Sequence, residues 1–228
     1  MDLSRRYDRN MNALSPDECA LLREKRVCVV GCGGLGGYII EILARIGVGH
    51  LTVVDGDVFD VTNLNRQLLC SEKVIGKSKA KRAKKHVAKI NSDVSVTAVS
   101  DFLTAENCTD IVSGHDLVVD ALDNASARRI LAAGCAEAGI TVVHGAIGGW
   151  YGQVSVVPPG SAVFDVLYPE GKKDTPNPAG NPSFTPPVIA SLEAAEAVKY
   201  LCGRESPLTG NLLVIDLKSM DFEIIDIA

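Results

Sequence analysis

The residues with chemistry to offer fall in a few short stretches of the 228-residue chain. Gly31-Cys32-Gly33-Gly34-Leu35-Gly36-Gly37 follows directly on the apolar run Val27 to Val30. With no Cβ in the way, such a glycine turn lets backbone N–H groups close on an anion. A helix starting there adds partial positive charge, so the pair forms a phosphate-binding device. Leu51-Thr52-Val53-Val54-Asp55 is a second apolar run, and it ends in an acid. A carboxylate roughly 20 residues past the glycines stands where a ribose is held. Asn63, Asn65, Arg66 and Gln67 then offer polar groups in quick succession beyond that strand. In open α/β sheets this is where ligands sit. Leu117 to Asn124 is a further buried run, closed by Asp123 and Asn124. Together these stretches predict a nucleotide site. A purely structural glycine turn is the competing reading, as is a turn followed by a surface helix for Gly56 to Gln67.

Elements must position these groups. Val27–Val30 and Leu51–Asp55 read as buried parallel strands, joined by a helix over Tyr38–Ile46. Gly76–Ile90 reads as a basic amphipathic helix with the apolar stripe Ala80, Ala83, Val87 and Ile90. Most of its lysines form a solvated face, but one near its start points back toward the strand ends. His86 reads as a surface histidine. Val94–Val99, Leu117–Asn124 and Thr141–Gly145 follow as strands, with a helix over Ser126–Ala138 stopped by Gly139. His144 reads as a hydrogen-bonded structural residue. Beyond Trp150 the pattern changes to a short strand, Gln153–Val157, and a mobile Pro, Gly and Asn-rich loop over 169–187. A helix over Val188–Cys202 and an antiparallel hairpin of Leu212–Asp216 with Phe222–Ile227 close the chain. At the N-terminus, Ser15-Pro16-Asp17-Glu18 is a helix start with a capping box. The fold class expected is α/β: a Rossmann-like, doubly wound, mostly parallel sheet with antiparallel strands added in the C-terminal part.

Bulk properties bound the function. At 46% hydrophobic residues, the chain suits one large α/β domain over 1–228, with a helical arm over 1–25 and halves at 26–145 and 146–228. A net charge of −5 and a pI near 5.4 argue against nucleic acid as the main partner. No apolar run approaches the ~18 residues that suggest a membrane span, and the first residues lack a signal-peptide core. Seven cysteines, none in a C-x-x-C pair, point to a reduced cytoplasmic protein without a disulfide framework.

Assembled, these motifs resemble the ThiF/MoeB/HesA family, relatives of the ubiquitin-activating enzymes. The resemblance runs from about Arg6 to the chain end. It is carried by Arg6-Tyr7-Asp8-Arg9, the glycine turn, Asp55 with Asp57, Asn63-Leu64-Asn65-Arg66-Gln67, Lys79, Asp123-Asn124 and Ser191 to Ala197. It implies ATP-dependent adenylation of the C-terminal glycine carboxylate of a small ubiquitin-like carrier, which the half at 146–228 would bind. The implied nucleotide site comprises Gly31, Gly33, Gly34, Gly36, Asp55, Asp57, Asn63, Asn65, Arg66, Gln67, Lys79, Asp123 and Asn124. Arg66 and Lys79 would screen the meeting anions, as a fixed fork and a point charge. Asp123 would hold Mg²⁺, Asp55 the ribose, and Asn63 a phosphate or the substrate carboxylate. Arg6 would reach the site of a second subunit, which implies a homodimer. A nicotinamide-dependent oxidoreductase, a non-catalytic nucleotide-binding scaffold and an enzyme adenylating a small molecule or modified RNA base are the other readings.

The sequence departs from that family at two points. Many members carry C-x-x-C pairs for structural zinc; here the first pair's region reads Val163-Phe164-Asp165-Val166, and the chain ends before the second. Many also carry a cysteine before the late helix for a covalent step; residues 169–187 have none. Cys32 sits inside the phosphate turn, leaving Cys70 as the reserve thiol, with a buried apolar role as its simpler reading. We expect elemental analysis to find no stoichiometric zinc. A non-reducing gel of protein with ATP and carrier should show no thiol-sensitive conjugate; one lost in Cys70→Ser would contradict the expectation.

Overall fold

The computed structural model describes residues 4–171 and 178–227. The apolar runs become strands β1 (Arg26–Val30), β2 (His50–Val54), β3 (Ser95–Val99), β4 (Leu117–Asp120) and β5 (Val142–Gly148). They lie parallel in the order β3-β2-β1-β4-β5. Strands β6 (Tyr151–Val157), β7 (Asn211–Asp216) and β8 (Asp221–Asp226) continue the same sheet antiparallel. This is the doubly wound, mixed architecture expected from the sequence.

The helices are α1 (Pro16–Glu24), α2 (Gly34–Ile46), α3 (Lys79–Ile90), α4 (Cys108–Val112), α5 (Ala125–Ala138), α6 (Val163–Leu167) and α7 (Thr185–Leu201). Strand alternation explains their distribution. Val27, Val29, Leu117 and Val119 face one way, into a core with Leu22, Ile39, Leu43, Val87 and Ile189 from α1, α2, α3 and α7. Cys28, Val30, Val118 and Val142 face the other, meeting Val112, Leu131, Cys135 and Phe164 from α4, α5 and α6. Because both faces are covered, the central strands read as continuous apolar runs.

Several boundaries differ from expectation, each for a physical reason. α2 starts at Gly34 rather than Tyr38, so the glycines form its first turn and its N-terminus points at the site. α7 begins at Thr185 rather than Val188 and takes in Pro186 and Pro187, since the first helical positions need no N–H partner. α3 begins at Lys79, capped by the Ser78 hydroxyl, not at Gly76. The capping box at Ser15 and Glu18 forms as read. Part of the loop expected over 169–187 lies outside the described residues. His86 pairs with Glu41 across α2 and α3, and His144 is fully buried and bonded to Asp120.

The N-terminal arm folds back onto its own chain. Its 3₁₀ turn, Ser4–Asn10, brings the Tyr7 ring against Gly47 and into a hydrogen bond from Asn91 Nδ2 at 2.8 Å. Arg6 bonds the Asn91 carboxamide and pairs with Asp93 at 3.6 Å. These partners follow the C-terminal end of α3, opposite the end at which Lys79 begins it.

Glu193 on α7 is completely buried against Gly145, and among the described residues neither carboxylate oxygen has a hydrogen-bond partner. Burial pushes its carboxyl well above 4.5, and nearby Asp120 adds to this against the opposing pull of Arg128. The unfolded chain releases this proton near its ordinary value while the folded chain keeps it. Stability contributed by the protonated group is therefore present at low pH and declines as pH rises above about 4.5. Glu193→Gln has nothing to ionise. Thermal melts should show the variant gaining on the wild type between pH 5 and pH 8; a constant difference would contradict this.

Candidate active site

The carboxyl ends of β1 and β4 meet where the strand order reverses, the topological switch point of the sheet. A cavity of about 180 Å³ opens there. Its floor is the glycine turn. Gly31 adopts φ +101°, which favours glycine. A Cβ on Gly31 would strike the Ala121 carbonyl, and one on Gly36 would strike the Gly31 carbonyl. Gly36 thus lets α2 close on β1, while Gly31, Gly33 and Gly34 line the cavity.

Asp55 follows β2 at one wall. Its Oδ2 accepts the Cys32 backbone N–H and its Oδ1 the Asp57 N–H, each at 2.8 Å. Burial pushes its carboxyl up, while those N–H bonds and Lys79 pull it down; burial wins. Lys79, only 7% exposed, pairs its Nζ with Asp57 Oδ2 at 3.1 Å. Backbone bonds join the same segments, Lys79 N–H donating to the Asp57 carbonyl. The one lysine expected to face the strand ends is therefore Lys79.

Val61–Asn63 form a single 3₁₀ turn and residues 64–66 continue as turn, in place of a surface helix. Asp60 and Asn63 form its capping box, Asn63 Oδ1 accepting the Asp60 N–H at 3.0 Å. The Asn63 carbonyl accepts the N–H groups of Arg66 and Gln67, aiming both side chains toward the glycines. Asn65 Oδ1 accepts from Arg66 Nη1 at 2.8 Å, and its amide donates to the Asn181 carbonyl at 3.0 Å. Arg66 and Gln67 line the cavity, whereas Asn63 and Asn65 shape the turn behind it. Across the cavity stand Asp123 and Asn124; Asn124 also caps α5 through Ala127 N–H at 2.8 Å.

The arrangement gathers a helix N-terminus, an arginine fork and a buried lysine around one cavity, with Asp55 and Asp57 beside the lysine and Asp123 across from it. It can bind a polyanion and a ribose together. A ThiF family model matches residues 7–228. The chain belongs to the ThiF family.

This ThiF-family chain is 37% identical over 226 residues to the SAMP-activating enzyme E1 of Haloferax volcanii, covering 96% of this chain and 84% of that one. It is 36% identical over 229 residues to the sulfur carrier protein adenylyltransferase of Thermus thermophilus, covering 95% and 84%. The crystal structure of E. coli MccB with AMPCPP and MccA has the same fold, with a TM-score of 0.83 at 22% identity, covering 100% of this chain and 72% of that one.

Sequence reasoning missed other residues of the site of this family member. Asp101, Phe102 and Leu103, after β3, line the cavity without a motif to mark them. Arg128 on α5 lies beneath it. Its guanidinium donates to the carbonyls of Leu122 and Gly145, and its Nε donates to Asp120 Oδ2 at 3.3 Å. It thereby ties down the loop that carries Asp123. A signal existed: Arg128 shares the buried stripe of Leu131 and Cys135, where a charge needs a partner. Burial pushes the Asp120 carboxyl up, yet Arg128 and His144 outweigh it and hold the acid below its ordinary value.

Burial pushes Cys32 well up, with Asp55 adding to it, and pushes half-buried Cys70 up as well. Val163 is buried in α6 and Val166 lies on its exposed side. Among the described residues no cluster of three potential ligands could hold a metal by itself, and no helix is long and apolar enough to cross a membrane. The exposed carboxylate of Asp123 still suits Mg²⁺, a hard ion that takes one or two carboxylates and completes its shell with phosphate and water.

Proposed function

We propose that this protein adenylates the C-terminal glycine carboxylate of a small ubiquitin-like sulfur carrier, using ATP and releasing pyrophosphate. The observation that carries this is the convergence of Arg66 and Lys79 on the glycine turn, in one cavity with Asp55 and Asp123. The names of the relatives at 36% and 37% identity agree with it. A carboxylate oxygen of the carrier attacks the α-phosphorus of ATP. The bond from that phosphorus to the pyrophosphate oxygen breaks, leaving an acyl-adenylate.

Two anions must meet for this, and this chain supplies the cations. The glycine N–H groups and the α2 N-terminus hold phosphate. Arg66, fixed by Thr62 and Asn65, offers a planar fork. Lys79, held by Asp57, offers a point charge to the departing pyrophosphate. Asp55, oriented by backbone donors, accepts from the ribose hydroxyls. When bound at Asp123, Mg²⁺ would neutralise phosphate oxygens. A nicotinamide reaction has no need of this pair of cations.

The halves divide the labour in this reading. Residues 26–145 bind the nucleotide and residues 146–228 the carrier. Exposed Phe222, Ile224 and Ile225 on the edge strand β8 support the second assignment. A homodimer completes it, with the arginine arm acting on the partner's nucleotide. Arg6 would have to leave Asn91 and Asp93 to do so, whereas Arg9 on the same turn is already exposed.

Arg66→Ala and Lys79→Ala should each lower ATP–pyrophosphate exchange by about 10²–10³ with the fold intact. Asp123→Asn should lose Mg²⁺-dependent turnover yet keep weak nucleotide binding. Near wild-type exchange in either cation variant would sink the proposal, and reduced-nicotinamide binding detected by fluorescence would favour the oxidoreductase instead.

The arm makes a separate expectation. Mixing inactive Arg6→Ala with inactive Lys79→Ala protein should restore activity through hybrid dimers. If Arg6 is only structural, Arg9→Ala mixed with Lys79→Ala will restore it instead. Failure of both pairs, with subunit exchange confirmed by mass, would rule out action across subunits.

A further inference from the structure

Phe102 is a large aromatic side chain left 60% exposed at the mouth of the nucleotide cavity. Among the described residues it is the only aromatic that lines it. Three observations fix its place. First, it follows β3, whose neighbour β2 leads directly into Asp55. Second, its ring lies on Gly56, the residue after Asp55. A Cβ on Gly56 would stand 2.7 Å from ring atoms and 2.8 Å from the Phe102 nitrogen. Gly56 is therefore glycine for space: its φ is not in the left-handed region. Third, the loop is braced. Asn107 Nδ2 donates to the Phe102 carbonyl at 2.9 Å, and Asn107 Oδ1 accepts the Thr104 N–H at 2.8 Å. Asp101 Oδ1 accepts the Phe102 N–H at 2.9 Å.

Size says what lies there. The cavity encloses about 180 Å³, less than the roughly 300–1,000 Å³ of closed small-molecule sites. A whole nucleotide must extend past its mouth. With phosphate at the glycine turn and ribose at Asp55, the base is the part that emerges, on the side of Gly56. An apolar π-face held rigidly at that point lowers the cost of ordering a base against it.

We propose that Phe102 is the platform on which the nucleotide base stacks, with Gly56 as the space that seats the ring. The proposal rests on the adenylation reading for the identity of the nucleotide, not for the existence of the contact. Stacking is indifferent to which base is present, because every base has a π-face. Phe102 therefore strengthens nucleotide binding without choosing adenine.

The test is calorimetric binding of ATP, GTP and inorganic tripolyphosphate to the wild type and to Phe102→Ala, Phe102→Leu and Phe102→Trp. Phe102→Ala should weaken ATP and GTP alike by about 5- to 20-fold, the modest end of base–aromatic stacking for an exposed ring. Tripolyphosphate, which has no base, should bind unchanged. Phe102→Trp should retain or improve affinity, and Phe102→Leu should fall between. Gly56→Ala should reproduce the Phe102→Ala loss by displacing the ring. Unchanged ATP affinity in Phe102→Ala overturns the proposal, as does an equal loss for ATP and tripolyphosphate. So does a raised KM for the carrier with ATP binding intact, which would make Phe102 a carrier contact. Should Phe102→Ala not fold, Phe102→Leu and Gly56→Ala decide by the same comparisons. A wild type that binds no ATP at all would instead defeat the adenylation reading.

Discussion

Three stretches of backbone touch at Gly31, Gly36 and Ala121, with no room for a Cβ on either glycine. That contact sets the distance between the end of β1, the start of α2 and the end of β4. A methyl group at Gly36 would push α2 away from the sheet. The orphan N–H groups of its first turn would then no longer converge with Arg66 and Asp123 on one cavity. The site is thus a consequence of backbone packing before it is a matter of side chains. Its polar residues can do their work from loops because the glycines have already brought the loops together.

Charge is arranged around that contact in pairs. The protein is net acidic at −5, yet binds a polyanion in the proposed reaction. Local geometry resolves this. Lys79 is buried against Asp57, so its charge is fixed in place instead of wandering on a long stem. Beneath the opposite wall, Arg128 neutralises Asp120 and pins the backbone that carries Asp123. Asp120 also orients His144, whose own protonation burial disfavours. The two ion pairs brace the two walls, and each leaves its functional neighbour facing the cavity.

Much of this was written in local sequence pattern. The glycines, the acid at Asp55 and the run at 63–67 announced themselves because each obeys a short-range rule: a turn without Cβ, a strand ending in a carboxylate, a polar loop after it. Most of the parallel strands were legible from their apolar runs, and β3 from its alternation. What escaped was set by tertiary contact. Asn63 and Arg66 look alike in sequence, but the turn consumes the first and aims the second. Phe102 carries no motif, and its meaning depends on a glycine 46 residues away in the chain meeting it across two strands. The family resemblance sends Arg6 toward a second subunit, yet within this chain Asn91, distant in sequence, captures it. The early start of α2 was hidden because glycine is a poor helix former, and only packing against Gly31 selects it there.

The cysteines carry a consequence of their own. Five of the seven are buried, and burial pushes the Cys28 thiol to about 12 and Cys108 to about 11. Alkylating reagents attack the thiolate, so these buried thiols are shielded in the folded chain, whereas Cys70 and Cys202 are only partly buried. Cys28 sits on the central strand, Cys32 under the glycine turn, and Cys108 and Cys135 between α4 and α5. Each becomes reactive only when its own layer opens. The chain thus carries its own stopwatch: the order in which these sulfurs acquire label records which part of the molecule loosens first.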